Sequence, residues 1–364
     1  MRIESITLRK LKMRLKSPFE TSFGVTHDRT VVLVELLADG LTGRSEVAAS
    51  EGPFYNSETA DTAWLIMILG KEFGSASEIP CIFAAIRGHE MARAAMENTL
   101  SDVEAQQKNL SLARWLGGTP SEIKCGVSLG LEATPEVLLE RVAVELRAGY
   151  QRIKLQIKPG KDIEVVRAVR NAHPGMLLSV DANSAYTRVE LEHLKRFDEF
   201  NLLMMEQPLW WDDIANQAKL QRHLKTSLCL DESIRRVRDA ETALDLGARR
   251  IINIKVGRVG GHSTAREIQS LCLARNIPVW CGGMLVECGI GRAHNIAVAS
   301  LPGYTLPGDV SASNRYWEED VVDPPIEVSP RGTIQVPASP GLGYHVRRDL
   351  IEHRTTEKET WRAR

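Results

Sequence analysis

The segments LLSVDAN (177–183), LLMMEQP (202–208) and LCLDES (228–233) share one design, an apolar run closed by an acid. The closing acids are evenly spaced: 206 − 181 = 25 and 231 − 206 = 25 residues. An apolar run of four or five residues with polar punctuation reads as a buried strand. Working outward, further strands are predicted over 152–157, 250–254 and 278–281, with amphipathic helices over 136–148, 162–172, 188–196 and 233–246. Short strands alternating with helices are parallel βα units, in a closed barrel or a doubly wound sheet. The acids favour the barrel, because the C-terminal ends of its consecutive strands converge on one mouth. Three carboxylates brought together there repel and take up protons unless a hard divalent cation converts the repulsion into oxygen ligation. Asp181, Glu206 and Asp231 are therefore candidate ligands of Mg²⁺ or Mn²⁺. The plainer alternative, that each acid N-caps the next helix, does not account for three equal intervals.

Two lysines fall on the same grid: Lys154 in RIKLQIKPG (152–160) and Lys255 in INIKVGRVGG (252–261). They flank the acids in chain order, so the mouth places them on opposite sides of anything held there. A substrate carboxylate on the cation has its α-proton acidified, since the enediolate left behind carries extra charge that the cation stabilises. Lysine is a suitable base for that proton. Burial and the nearby Arg258 are expected to lower the pKa of Lys255 toward a useful range. Lys158 and Lys161, beyond Pro159-Gly160, read as loop charges, and His262 and His294 as structural helix residues.

Upstream, IESITLRKLKMRL (3–15) and TVVLVELLADG (30–40) alternate like antiparallel strands, with Asp39-Gly40 as a turn signal. Helical spacing follows over 59–73 and 91–115. This is a β-then-α cap of about 120 residues preceding the barrel. The 364 residues are 43% hydrophobic and 26% charged with net charge −1, a globular balance with no global field for nucleic acid or an anionic membrane. No window of ~20 apolar residues occurs, and MRIESITLRKLKMRLKSPF lacks a signal-peptide core. A cytoplasmic enzyme acting on a small-molecule carboxylate is expected. The six cysteines, at 81, 125, 229, 272, 281 and 288, have no CxxC pairing and read as reduced, buried thiols.

At this point the chain resembles the o-succinylbenzoate synthases and N-acylamino acid (N-succinylamino acid) racemases of the muconate-lactonizing subgroup of the enolase superfamily. The resemblance is carried in order by SPFETSFG (17–24), GPFYNSETADTAW (52–64), GVSLG (126–130), RIKLQIKPG, VDAN (180–183), EQPL (206–209), LDESI (230–234), INIKVGRVGG, WCGGML (280–285), GIGRAHN (289–295) and LPGDVSAS (306–313). A lysine base with a divalent cation stabilising an enediolate is the pattern of that superfamily. The resemblance implies an α/β fold: a (β/α)7β modified TIM barrel over 123–324 with an α+β capping domain over 1–122 plus about 325–364. It implies Mg²⁺ on Asp181, Glu206 and Asp231, with Lys255 as acid/base. It further implies a loop with Phe19 and Phe23 that closes with Tyr55 over the substrate, in a pocket lined by Ser128, Asn183, Gly283 and Met284. Relatives of this kind are commonly homo-oligomers, and their synthases serve menaquinone biosynthesis. Two departures stand out. The family's Lys-x-Lys pair reads Lys154-Leu155-Gln156, so the expected second catalytic lysine is a glutamine without a titratable proton. GMLVECG is one residue longer than the family's GMLE-x-G. Other outcomes are a dipeptide epimerase, a cycloisomerase or a non-catalytic metal and carboxylate binder.

Overall fold

The structure, a computed structural model, describes residues 1–69, 79–187, 190–285 and 287–362. The end of the helix expected over 59–73, the start of that over 188–196, and Val286 of GMLVECG lie outside these residues. In the cap, β1 (Ile3–Thr21), β2 (Gly24–Ala38) and β3 (Leu41–Val47) form an antiparallel meander, and Asp39-Gly40 makes the β2–β3 turn with positive φ at both residues. Alternation puts Ile6, Leu8, Val32, Val34 and Leu36 on one buried face. That face packs under α1 (Ala60–Leu69), α2 (Ile79–Ala84) and α3 (Glu90–Gln107). Close packing of β3 on α3 requires Gly43, where a Cβ would lie 2.2 Å from the carbonyl oxygen of Thr99. The helix expected over 91–115 is two: Asn109 turns left-handed (φ 53°), and α4 (Leu112–Leu116) restarts under a Ser111 side-chain cap. Apolar spacing runs through that break although α3 packs mainly in the cap core and α4 in the barrel core.

After β4 (Glu122–Lys124) the chain alternates β5 (Gly126–Leu129), α5 (Pro135–Arg147), β6 (Arg152–Gln156), α6 (Ile163–Ala172), β7 (Leu177–Asp181), α7 (Leu191–Lys195), β8 (Met204–Glu206) and α8 (Ile214–Gln221). It continues through β9 (Leu228–Leu230), α9 (Val237–Leu246), β10 (Ile251–Ile254), α10 (Val256–Val259), α11 (His262–Ala274), β11 (Val279–Cys281) and α12 (Gly289–Ala299). Strands β5 to β11 lie in sequence order in one parallel sheet. The segment 304–309 fills the eighth position, bonded on one side to β11 (Asp309 N–H to Cys281 O) and on the other to β5 (Gly126 N–H to Gly308 O). The sheet is thereby closed, and the (β/α)7β barrel follows. Of the remaining elements, β12 (Val322–Asp323) pairs with β14 (His345–Val346), β13 (Thr333–Gln335) pairs with β4, and α13 (Arg348–Arg354) leads into β15 (Thr355–Arg362). β15 returns to the cap and pairs with β1.

Period two decides what faces the barrel interior. Ile153, Leu155, Val180, Leu230, Ile252 and Ile254 belong to the main core under the helices. Met204, Cys229, Ile251 and Trp280 form a separate small cluster, the apolar floor on which the polar residues of the mouth stand.

Candidate active site

On β6 the alternation RIKLQ sets Arg152, Lys154 and Gln156 on one face, opposite Ile153 and Leu155. All three polar side chains are buried, which requires partners. Arg152 donates to Pro307 O, to Ser179 Oγ (3.1 Å) and to Asp309, and its guanidinium lies over the Trp280 ring. Lys154 Nζ sits among Asp181 Oδ2 (3.0 Å), Glu206 Oε2 (2.7 Å) and Asp309 Oδ2 (2.8 Å). Gln156 Nε2 donates to the same Asp181 oxygen at 3.1 Å, while its Oε1 has no partner. Gln156, Asp181 and Glu206 are paired side by side across β6, β7 and β8.

Asp181 and Glu206 meet at Lys154, whereas Asp231 stands apart from them with its own partners. Glu206 is paired with Cys229, so Asp231 stands two residues further toward the mouth, the stagger a closed barrel imposes. Equal sequence intervals therefore do not give equal heights. Asp231 is held by Lys255 Nζ at 2.7 Å, by the Arg258 guanidinium, and by Tyr55 OH at 3.3 Å. Gln207, buried with φ 37°, accepts from the backbone N–H groups of Asp231 (3.1 Å) and Ser233 (3.3 Å) and donates to Ser233 Oγ, locking the ends of β8 and β9 together. Asn253 donates to Glu206 Oε1 at 2.6 Å, and Gly282 leaves room for it: a Cβ there would lie 2.4 Å from Asn253 Oδ1.

The electrostatics follow from burial. Glu206 is pushed above the usual carboxylate range, first by burial and then by Asp181, with Lys154 and Lys255 opposing. Glu232 rises to about 7 for the same two reasons. For Asp309 burial acts upward, but Arg152 and Lys154 outweigh it and hold the carboxyl low. The expectation of a lowered Lys255 pKa is reversed. Burial does act downward, but Tyr55, Glu206, Glu232 and Asp181 outweigh it and raise the ammonium above its usual value. Lys154 is raised likewise, by Asp181, Asp309 and Glu206 against burial.

Every residue predicted to contact substrate lines one partly open cavity of about 80 Å³. Phe19 and Phe23 reach it from the β1–β2 hairpin and Tyr55 from the loop after β3, while Ser128, Asn183, Gly283 and Met284 come from the barrel mouth. Lys154, Gln156, Asp181 and Lys255 share that lining. His262 and His294 bond to each other on α11 and α12 and stay out of it. The five described thiols are free and buried. Sequence reasoning missed Arg152, Asn253 and Gln207; a charged or amide side chain facing inward from a strand was the available signal. Among the described residues, no three acid, His or Cys side chains stand together closely enough as placed to ligate one ion. The donor set nevertheless fits a hard cation in kind: three carboxylates on adjacent strand ends, with the buried oxygens Gln156 Oε1, Asn183 Oδ1 and Glu232 Oε2 lacking any hydrogen-bond donor around them.

Closed parallel barrel, antiparallel cap and inward-facing acids at the strand ends define a class that comparison identifies. Residues 3–117 match the mandelate racemase / muconate lactonizing enzyme N-terminal domain and residues 138–350 the enolase C-terminal domain-like family, so the chain belongs to this enolase-superfamily family and is an enzyme of it. It is 48% identical over 361 residues to an o-succinylbenzoate synthase of Geobacillus kaustophilus, covering 97% of this chain and 96% of that one. It is 43% identical over 362 residues to an N-succinylamino acid racemase of Thermus thermophilus, covering 98% of each. A solved enolase-superfamily member from Listeria innocua superposes with a TM-score of 0.92 at 40% identity over 98% of both chains. A dipeptide epimerase from Cytophaga hutchinsonii, solved with Mg and a dipeptide, gives 0.91 at 26% identity over 99% of this chain and 100% of that one.

Proposed function

We propose that the chain abstracts the α-proton of a carboxylate substrate through an enediolate, acting on the substrates of its relatives: dehydration to o-succinylbenzoate, or proton exchange at the α-carbon of N-succinylamino acids. The observation that carries this reading is the placement of Lys255 and the Lys154–Gln156 pair in one cavity with Asp181, among groups expected to enclose substrate. Asp181, Glu206 and Asp231 would hold Mg²⁺ or Mn²⁺, which supplies Lewis-acid stabilisation of the charge developing on the substrate carboxylate. The protein's own residues do the proton work. Lys255 Nζ would remove and return the proton on its face once a cation on Asp231 neutralises that carboxylate and disfavours the ammonium form; the Tyr55 hydroxyl, 3.4 Å away, orients it. On the Gln156 side no proton is available, because an amide does not titrate. Lys154 is the poorer replacement for the missing lysine, since Asp309, which is not among the cation's ligands, still holds its ammonium at 2.8 Å. The reaction is therefore one-faced, and a menaquinone role follows if dehydration is the activity.

A dipeptide epimerase needs an acid to hold the peptide ammonium, and the candidate Asp309 is taken up by Arg152 and Lys154. Proton NMR in D₂O with purified protein, Mg²⁺ and each enantiomer of an N-succinylamino acid tests the proposal, alongside an assay for o-succinylbenzoate formation. Exchange of one enantiomer with retention, or formation of o-succinylbenzoate, supports it. Absence of both activities in the native chain and in Gln156→Lys rejects it.

A further inference from the structure

The segment IKVGRVGG (254–261) closes on two successive glycines, Gly260 and Gly261, both at positive φ (92° and 115°), a conformation that glycine adopts without a steric cost. Space demands them as well. A Cβ on Gly260 would lie 2.6 Å from Arg93 Nη2, and one on Gly261 2.8 Å from the carboxyl carbon of Glu97. Arg93 and Glu97 are one turn apart on α3, so this cap helix rests directly on the turn that follows Lys255. The contact is also bonded. Arg93 donates from Nε to Gly260 O (3.1 Å) and from Nη2 to Thr264 Oγ1 (2.8 Å), while Glu97 Oε1 accepts from Ser263 N–H at 2.6 Å. Helix α11 starts at Gly261, which has no side chain to cap the free N–H groups of a first turn, and the Glu97 carboxylate serves in its place.

Two backbone bonds carry that grip to the base of Lys255. Val259 N–H to Lys255 O and Gly261 N–H to Val256 O, each 3.0 Å, close the single turn α10 between the lysine and the glycines. The head of the same lysine meets the cap too, at Tyr55 OH. Tyr55 shares its loop with Glu58, whose carboxylate accepts from Met91 N–H (2.9 Å) and Ala92 N–H (2.8 Å) in the first turn of α3. A ring of contacts therefore runs from Tyr55 through Glu58 to the start of α3, along α3 to Arg93 and Glu97, across to Gly260 and Gly261, and back through α10 to Lys255. Between Met91 and Glu97 the helix spans about 9 Å at 1.5 Å per residue. A hydrogen-bonded helix is stiff over that length, so it sets how far the backbone of Lys255 stands from Tyr55.

We propose that Arg93 and Glu97, neither of which lines the cavity, are positioning residues: they clamp the turn after Lys255 to α3 and so hold its ammonium against Tyr55. The inference rests on the proposed function and assigns control of the Lys255 face to two cap residues. A misplacement of about 1 Å costs on the order of 10²-fold in rate, so releasing one of two anchors should cost about tenfold. The test is α-proton exchange of each enantiomer of N-succinylphenylalanine in D₂O with Mg²⁺, in the full chain and in Gln156→Lys, where each enantiomer reports one face. In Gln156→Lys, adding Glu97→Ala or Arg93→Ala should slow by about tenfold only the enantiomer that the native chain exchanges, while the one served by the introduced lysine keeps its rate. In the native chain the same substitutions should lower kcat by that factor with KM within about twofold. Glu97→Gln, which keeps an oxygen for Ser263 N–H, should recover most of the rate. Asp102→Asn, which loosens the same helix at its bonds from Arg44 and Leu342 N–H, should slow neither enantiomer. Equal slowing of both enantiomers, no slowing, or a raised KM with kcat kept would overturn the clamp while the proposed function stands. Absence of exchange and of o-succinylbenzoate formation in both the native chain and Gln156→Lys would reject the proposed function, and the clamp with it.

Discussion

Replacing Gln156 with lysine should convert one-faced proton exchange into racemisation. Gln156 is buried, with its amide nitrogen 3.1 Å from Asp181 and 3.5 Å from Ser128 Oγ, in the cavity that also holds Lys255. A lysine there finds Asp181 as counter-ion and sits on the wall that now offers no titratable proton. A positioned acid/base contributes about 10²–10⁴-fold, so net inversion should rise by that factor, about 3–5 kcal/mol at ~1.4 kcal/mol per tenfold. Exchange on the Lys255 face should change far less. Polarimetry reports inversion, and proton NMR in D₂O reports exchange of each enantiomer separately. The native chain should wash out the α-proton of one enantiomer without inversion, and Gln156→Lys should exchange both. Racemisation by the native chain at a rate that Gln156→Lys does not raise would refute the reasoning, because another group would then be serving that face.

Lys255→Gln should abolish exchange in the native chain, by at least ~10²-fold on the same scale, while circular dichroism shows a folded protein, since Asp231 keeps Arg258 as partner. Mg²⁺ should raise the melting temperature of the native chain, by the equivalent of about 2.7 kcal/mol at a hundredfold excess over Kd; in Asp181→Asn that shift should shrink, and an undiminished shift would place the cation elsewhere. The stability that Glu58 contributes should fall as pH rises from 5 to 8. Burial lifts Glu58, which precedes α1 and accepts from the first turn of α3, from 4.5 to about 7 against its bonds to Met91 and Ala92 N–H. The folded chain therefore keeps a proton that the unfolded chain has lost, and this group's stabilisation, full below pH 4.5, disappears as pH passes 7. Its share is roughly 3 kcal/mol at ~1.4 kcal/mol per pH unit. Urea midpoints of the native chain and Glu58→Gln across that range check it, and parallel pH profiles would contradict it.

The sequence alone determined the repeating βα pattern and pointed to the three acids, Lys154 and Lys255, because these depend on periodicity and on residue type at a strand end. It also pointed to Gln156 and to the cap residues Phe19, Phe23 and Tyr55, though through family resemblance and not through pattern. Closure of the barrel was not legible. The eighth position is an irregular segment, 304–309, whose hydrogen bonds to Cys281 and Gly126 are long-range and leave no periodic mark. The split of α3 from α4 was hidden for a related reason: Asn109 carries the turn while the apolar spacing continues. Only the tertiary structure decided the charge states. Lysine titration depends on which carboxylates fold against it, and the sequence placed Arg258 near Lys255 without showing that anionic neighbours outweigh burial there. The clamp on the turn after Lys255 is likewise a product of folding. Arg93 and Glu97 lie on a cap helix far along the chain from Gly260 and Ser263, and no local pattern in a chain announces that such segments will meet.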